Sequence, residues 1–343
     1  MSEAAILDRT GALRDWFDTH LPTTTAPLRL DKFPGGQSNP TYRVSTGETT
    51  YVLRRKPSGT VLPSAHAVER EFRLLSALHP VGFPVPEPLA LCEDPSVIGA
   101  PFYVMTLVEG TIHWNGALPD RPAEERRCIY EGLIDTLARL HTLEPAAVDL
   151  EDFGRPGDFF ARQLDRWTRQ HHASRMKPVP ELDKLVDWLP RHRPPQRRST
   201  IVHGDYRIDN AVFAGPGPRV AALLDWELAT IGDPLADIAY LALGWILPAE
   251  GRSGLAGLDP LPAGIPTLDD VIARYCAATG RDGIPELPWL LAFSLFRLAV
   301  ILQGVGKRAA QGNASGGSAA QEAARVGSLA RAAWEHARAA GAS

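Results

Sequence analysis

The stretch from residue 201 to 233 constrains this chain most. It reads Ile-Val-His-Gly-Asp-Tyr-Arg-Ile-Asp-Asn, then, after a short turn, Ala-Ala-Leu-Leu-Asp-Trp-Glu, and it closes on Ile-Gly-Asp-Pro. Apolar residues run into the polar run His203, Gly204, Asp205 and re-emerge after Asn210, so 203 to 210 must be a loop. Residues 211 to 213 and 220 to 224 are short apolar runs separated by Gly215 and Pro218, which is a hairpin signal. Asp225 therefore sits just past the hairpin's second strand. Taken singly, Asp205, Asn210 and Asp225 are ordinary loop polars, favoured in turns for their local hydrogen bonds. Their joint placement at the ends of apolar strands is what calls for an explanation.

An Asp and an Asn five residues apart on a loop have the spacing of a phosphoryl-transfer loop. There the Asp accepts the hydrogen bond of the attacking hydroxyl, and the Asn coordinates magnesium beside the nucleotide phosphates. Asp205 and Asn210 take those roles, with His203 and Arg207 flanking the acid as further catalytic candidates. A second carboxylate is required where magnesium bridges the phosphates, and Asp225 supplies it.

The N-terminal third reads as the nucleotide side. A leading helix spans 3 to 20. Strands at 28 to 33 and 41 to 45 flank Gly35, Gly36, Gln37, Ser38 and Asn39. Glycine at a hairpin tip lets backbone N–H groups approach a phosphate, although alone the pair reads as a turn. The next strand, 50 to 56, alternates so that Val52 and Arg54 share a face, and Arg54 is the phosphate cation. An amphipathic helix over 64 to 78 carries Glu69 and Glu71. Counting along the protein-kinase pattern, which this segment resembles, Glu71 takes the position that pairs with the strand cation, leaving Glu69 to solvent. Residues 101 to 108 form a strand ending where a hinge falls. In a nucleotide-binding unit its backbone near Thr106 and Val108 would meet an adenine edge, with Met105 as the side chain toward the pocket; the alternative is a buried strand with no ligand.

Farther on, helices are expected at 123 to 141, within 158 to 195, from 234 toward 245, at 268 to 279, at 288 to 308 and near the C-terminus. Arg162, Arg166, Arg169 and Arg175 line one of these as an anion-binding strip or, the favoured reading, a solvated helix face. His171 and His172 lack the spacing that seats two ligands on one metal face. Asp233 before Pro234 is an N-cap, and Asp237 is placed to brace the catalytic loop. Arg297 and Gln303 are the polar exceptions on an apolar helix and need partners. With Glu227 they are the acceptor-side candidates.

Composition excludes more than it selects. A net charge of -4 provides no basic field for nucleic acid. Three scattered cysteines indicate neither a disulfide framework nor a zinc cluster, and a reducing cytoplasm is the expected home. No window is read as the run of about eighteen apolar residues that a membrane span needs.

These residues make the chain resemble the aminoglycoside phosphotransferase superfamily over nearly its whole length. The strings at 35 to 42 (Gly-Gly-Gln-Ser-Asn-Pro-Thr-Tyr), 62 to 72 (Leu-Pro-Ser-Ala-His-Ala-Val-Glu-Arg-Glu-Phe), 97 to 105 (Val-Ile-Gly-Ala-Pro-Phe-Tyr-Val-Met) and 224 to 234 (Leu-Asp-Trp-Glu-Leu-Ala-Thr-Ile-Gly-Asp-Pro) resemble more narrowly the kinase-like domain associated with acyl-CoA dehydrogenases. The resemblance implies an α+β, bilobal protein-kinase-like fold, with a small β-rich N-lobe over 1 to 107 and a larger, mainly helical C-lobe over 108 to 343. It implies ATP and Mg2+ as cofactors, and transfer of the γ-phosphoryl group to the hydroxyl of a small molecule. The acceptor implied is a hydroxyacyl-CoA or hydroxy acid, with a functional link to an acyl-CoA dehydrogenase. For a CoA acceptor the Arg-rich helices within 158 to 195 would supply contacts to its phosphates. The chain departs from protein kinases in lacking the full G-x-G-x-x-G loop, in Arg54 for lysine and in having no A-P-E segment, which argues against a peptide substrate. Two other readings remain: an antibiotic phosphotransferase, which needs an acidic pocket for a polycationic drug, and a nucleotide-binding regulatory pseudokinase.

Overall fold

The computed structural model describes residues 10–22, 25–33, 39–57, 67–155, 157–215, 217, 219–249, 253–311 and 323–342. In chain order the elements are α1 (Thr10–His20), β1 (Arg29–Lys32), β2 (Thr41–Thr46), β3 (Thr49–Arg55), α2 (Val68–Leu78), β4 (Pro88–Cys92), β5 (Phe102–Thr106), β6 (Thr111–Ile112), α3 (Ala123–Thr142), α4 (Phe159–Ser174) and α5 (Pro180–Arg191). They continue with β7 (Thr200–Val202), β8 (Ala211–Phe213), β9 (Val220–Leu223), β10 (Thr230–Gly232), α6 (Leu235–Ala242), α7 (Leu268–Thr279), α8 (Leu287–Ala310) and α9 (Val326–Ala339). The chain divides into two units, one of residues 1–112, 146–150 and 210–229, the other of 113–145, 151–209 and 230–343.

The first unit is built on an antiparallel sheet of order β1-β2-β3-β5-β4. Alternation along each strand sorts its side chains between two faces. Tyr42 and Val44, Tyr51 and Leu53, and Phe102 and Val104 gather with Leu13 and Phe17 of α1 in one buried cluster. Trp16 closes it edge-on against Phe102, ring centroids 4.8 Å apart. On the other face Arg54 is paired in register with Thr41 and with Tyr103, and Val52 with Met105. That register puts Met105 on the face of Arg54. Helix α2 begins at Val68, with Ala67 as its N-cap residue, so it starts later than the amphipathic pattern suggests. The β8–β9 hairpin forms with Ala211 opposite Leu223, and β6 pairs with β8 on its other side. Gly110, at φ 155, leads into β6, and a Cβ there would lie 2.5 Å from the carbonyl oxygen of Phe213. Only glycine permits that approach.

The second unit is mainly helical. Ile129, Leu133, Leu137 and Leu140 bury one stripe of α3. Helix α8 is buried nearly all round and packs against α4, α6 and α9. Phe160 meets Trp289 and Phe293 edge-on at 5.1 and 5.3 Å. The expectation that no window is apolar enough for a membrane span is corrected here. Leu287–Ala310 passes by length and hydropathy, yet 78% of its most apolar window is buried inside the protein. Its apolar surface is used by the core. The small β7–β10 ladder, Thr230 opposite Val202, sets the start of the 203–210 loop.

Candidate active site

In the first unit the site is organised around Arg54. Its Nε donates to Glu71 Oε2 at 2.8 Å and its Nη2 to Asp225 Oδ1 at 2.6 Å, while Glu227 Oε2 lies 4.0 Å from the same Nη2. Tyr103 adds a hydrogen bond to Glu71. Burial raises the Glu71 carboxyl above its usual range, with the Arg54 charge opposing it. Burial also works against the Arg54 charge, but Glu71 and Asp225 outweigh it and hold the guanidinium protonated. Lys56 is drawn instead to Glu69, which is therefore paired rather than left to solvent.

Asn210 and Asp225 meet through the hairpin. Leu224 donates its N–H to the Asn210 carbonyl at 2.8 Å, which sets Asn210 across from the residue preceding Asp225. Asp225 itself adopts φ 65, ψ 58, in the left-handed region that non-glycine residues seldom occupy. Such backbone strain is characteristic of ligand-holding positions. Among the described residues no three His, Cys, Asp or Glu side chains are grouped to cage a metal. Three carboxylates around one guanidinium nevertheless leave excess negative charge. Oxygen donors in excess, too few to enclose an ion, fit a hard cation that keeps water and phosphate oxygens in its shell.

Asn39 is the second unsatisfied element of this unit. It is 1% exposed, and both polar atoms of its side-chain amide are buried without a partner among the described residues. Leaving each so costs about 1–3 kcal/mol, which a ligand would recover. Gly35, Gly36, Gln37 and Ser38 lie outside the described residues. The hinge expectation needs a correction. Thr106 donates its N–H to the Glu87 carbonyl and its hydroxyl accepts the Glu87 N–H, so its backbone donor is already used. Val108 follows the strand in a loop and remains a candidate.

In the second unit β7 delivers His203, Gly204 and Asp205. Gly204 has φ 85, a turn that brings two successive N–H groups toward Asp237 in the first turn of α6. Asp237 accepts from His203 N at 2.6 Å and Gly204 N at 2.8 Å, and from His141 Nε2 at 3.2 Å; the other ring nitrogen of His141 accepts from the Tyr275 hydroxyl at 2.7 Å. All of this is buried. Burial alone would raise the Asp237 carboxyl, but its donors outweigh that and hold it below the usual range. The brace expected of Asp237 is present. His203 is fully buried and its Nδ1 accepts the Asp205 N–H, so it positions the acid and does not reach a substrate.

Around Asp205 the structure supplies a residue the sequence reading missed. Tyr240, one turn along α6 from Asp237, hydrogen-bonds Asp205, and burial together with that charge pushes its hydroxyl up to about 12. The signal was available, since i and i+3 on a helix share a face. Arg207 donates through Nε to Asp209 at 2.9 Å, and Ser253 Oγ donates to the same carboxylate at 3.1 Å. Arg207, Tyr240, Tyr130, Trp245, Ser253 and Leu298 then line a pocket of about 60 Å³ with several leucines. The Tyr130 hydroxyl and Trp245 Nε1 are turned to backbone carbonyls of Gly116 and Pro266, which leaves their ring faces to the pocket. Arg297 donates to the Gly204 carbonyl at 2.6 Å. Gln303 is not at this site: its Oε1 accepts from His171 and Ser174, bridging helices. Glu227 belongs with Arg54 in the first unit, not with the acceptor-side candidates.

A β-sheet unit carrying a cation–carboxylate pair, followed by a mainly helical unit carrying a His-Gly-Asp loop, defines the protein-kinase-like phosphotransferase fold. The chain belongs to the phosphotransferase enzyme family, which it matches over residues 29–287. It is 43% identical over 327 residues to acyl-CoA dehydrogenase family member 10 of Mus musculus, covering 95% of this chain but only 30% of that protein's length. A solved protein from Ralstonia eutropha, named provisionally as an aminoglycoside phosphotransferase, is 41% identical with a TM-score of 0.86, covering 96% of this chain and 98% of that one. The aminoglycoside phosphotransferase APH(4)-Ia, solved with ADP and hygromycin B, shares the fold at 16% identity and a TM-score of 0.62, covering 97% and 99%.

Proposed function

We propose that the protein acts in the cytoplasm and transfers the γ-phosphoryl group of ATP, with Mg2+, to the hydroxyl of a hydroxyacyl-CoA or hydroxy acid. Asp205 accepts the hydroxyl proton as the new O–P bond forms and ADP leaves. Asn210 and Asp225 hold the metal. Arg54, oriented by Glu71 and Asp225, supplies a permanent positive charge toward the phosphates. ADP in the complex of APH(4)-Ia supports an adenine nucleotide as co-substrate.

One observation carries the acceptor class. The pocket that Tyr240 lines, beside Asp205, is walled by aromatic and leucine side chains, and among the described residues its one charged lining residue is Arg207, itself paired with Asp209. A polycationic antibiotic needs carboxylates in its pocket, whereas an apolar wall whose cation is already neutralised suits an acyl group. The relationship to a region of an acyl-CoA dehydrogenase family member agrees and supports a functional link to such an enzyme. The pseudokinase reading is disfavoured because the sequence retains Asp205, Asn210 and Asp225.

The test is ADP release from ATP and magnesium in the presence of 3-, 4- and 5-hydroxyacyl-CoAs, the free acids, aminoglycosides and macrolides. Turnover of thioesters or free acids is the expected result. Phosphorylation of an antibiotic alone overturns the acceptor, and nucleotide binding without any transfer restores the regulatory reading.

A further inference from the structure

Arg297 is 9% exposed, and its Nε is buried without a hydrogen-bond partner. Its Nη2 holds the Gly204 carbonyl, and its guanidinium carbon lies 4.9 Å from the Tyr240 ring centroid and 5.6 Å from that of Trp167. Among the described residues it forms no ion pair. Burying a charge without a counter-ion is expensive, and contact with aromatic faces recovers only about 0.5–2 kcal/mol.

A second cation shares the same indole. Arg166 on α4 places its guanidinium carbon 5.0 Å from the Trp167 centroid. The other arginines grouped with it are compensated: Arg169 pairs with Asp165, Arg175 with Asp183, and Arg162 donates to the Arg155 carbonyl. Arg166 has no ion pair among the described residues. Burial and the charge of Arg297 both hold its pKa below the ordinary arginine range. Two like charges at one ring, one of them buried with a free donor, are stabilised by an anion between them.

We propose that Arg166 and Arg297, with Trp167 and Tyr240 as walls, bind an anionic group of the acceptor, a carboxylate or a phosphate ester. The proposal rests on Asp205 being where the acceptor hydroxyl is held, because Arg297 grips the carbonyl of the residue before it. Tyr240 then joins three parts of one acceptor. Its hydroxyl touches Asp205, its ring lies under Arg297, and it lines the apolar pocket. The anion source is either the carboxylate of a free hydroxy acid or the phosphates of a CoA thioester.

The test is calorimetric titration of wild type and Arg166→Gln with 3-hydroxybutyrate, its methyl ester and coenzyme A, without ATP. Arg166 is exposed as a residue although its guanidinium, over Trp167, is partly desolvated, so Arg166→Gln keeps the fold, while Arg297→Lys tests the fork with the charge retained. A hydrogen bond to a charged group contributes about 1.5–3 kcal/mol, so one anionic probe should bind about tenfold or more weaker to Arg166→Gln, with the ester unchanged. Loss for hydroxybutyrate assigns the carboxylate, and loss for coenzyme A assigns the phosphates. Equal affinities in wild type and variant, or no binding of either anion by wild type, overturn the site. A protein that binds the anion through Arg166 but never releases ADP keeps this site and loses the kinase reading. One that turns over with an unchanged KM in Arg166→Gln does the reverse.

Discussion

Asp237→Ala is the perturbation whose cost follows most directly from the geometry. It strands two backbone donors, His203 N–H and Gly204 N–H, now held at 2.6 and 2.8 Å, and frees the His141 imidazole. Each hydrogen bond to a charged acceptor contributes about 1.5–3 kcal/mol, so the two backbone bonds together give about 3–6 kcal/mol. That is a large share of a total stability of about 5–15 kcal/mol. Asp237→Asn should cost about half as much, because its amide oxygen still accepts from one donor while its NH2 opposes the other. Guanidinium unfolding followed by tryptophan fluorescence measures both through the shift in midpoint. The pH dependence has a definite sign. The folded pKa of Asp237 is depressed, so its contribution is present above the unfolded value near about 3.9 and is lost as pH falls through the folded one. His141, lowered chiefly by burial, acts the same way in a higher window: stability drops as pH falls below about 6.5. Wild type should therefore weaken in two acid stages, and Asp237→Asn should lack the lower one. An Asp237→Ala protein within about 1 kcal/mol of wild type at neutral pH would refute the reasoning.

Asp205→Asn should bind ATP normally yet lose on the order of a hundredfold or more in turnover on a genuine acceptor, and near-normal rates would remove Asp205 from the role of base. Asp225→Ala should abolish magnesium-dependent ATP binding in calorimetry, and Asn210→Ala should weaken it less; unchanged affinity in the first would move the metal elsewhere. Asp233 is raised to about 6 by burial while its carboxylate caps the Leu235 N–H at 2.9 Å. Its contribution is present below the unfolded pKa and lost as pH rises through about 6. Asp233→Asn keeps the cap without the buried charge, so it should be more stable at pH 7 by up to about 3 kcal/mol. Parallel melting curves for the two proteins from pH 4 to 7 would contradict this.

The catalytic loop was legible because its parts hang from adjacent turns. Asp205, Asn210 and Asp225 lie within one strand–loop–hairpin segment, and the hairpin formed where it was expected. Arg54 was legible from strand alternation and Glu71 from its place along the protein-kinase pattern, and the two side chains, 17 residues apart in sequence, are paired in the structure. Where the reading failed, tertiary partners had decided. Thr106 spends its N–H on Glu87, Glu69 is claimed by Lys56, and the apolar run of α8 is consumed by neighbouring helices.

The acceptor side is written differently in the chain. Arg297 reaches the loop across 93 residues, and neither it nor Arg166 belongs to a motif. Arg166 looked like one of several solvated arginines on its helix, and only the ion pairs of its neighbours set it apart. A phosphoryl-transfer loop must present the same oxygens to the same nucleotide whatever the acceptor, so its residues occur at regular spacings. An acceptor site has no such fixed partner, and any surface the fold brings beside Asp205 can supply it. Family membership therefore identifies phosphotransfer, while the acceptor site proposed above is read from what surrounds Tyr240: a small apolar pocket, and two guanidinium groups that form no ion pair among the described residues.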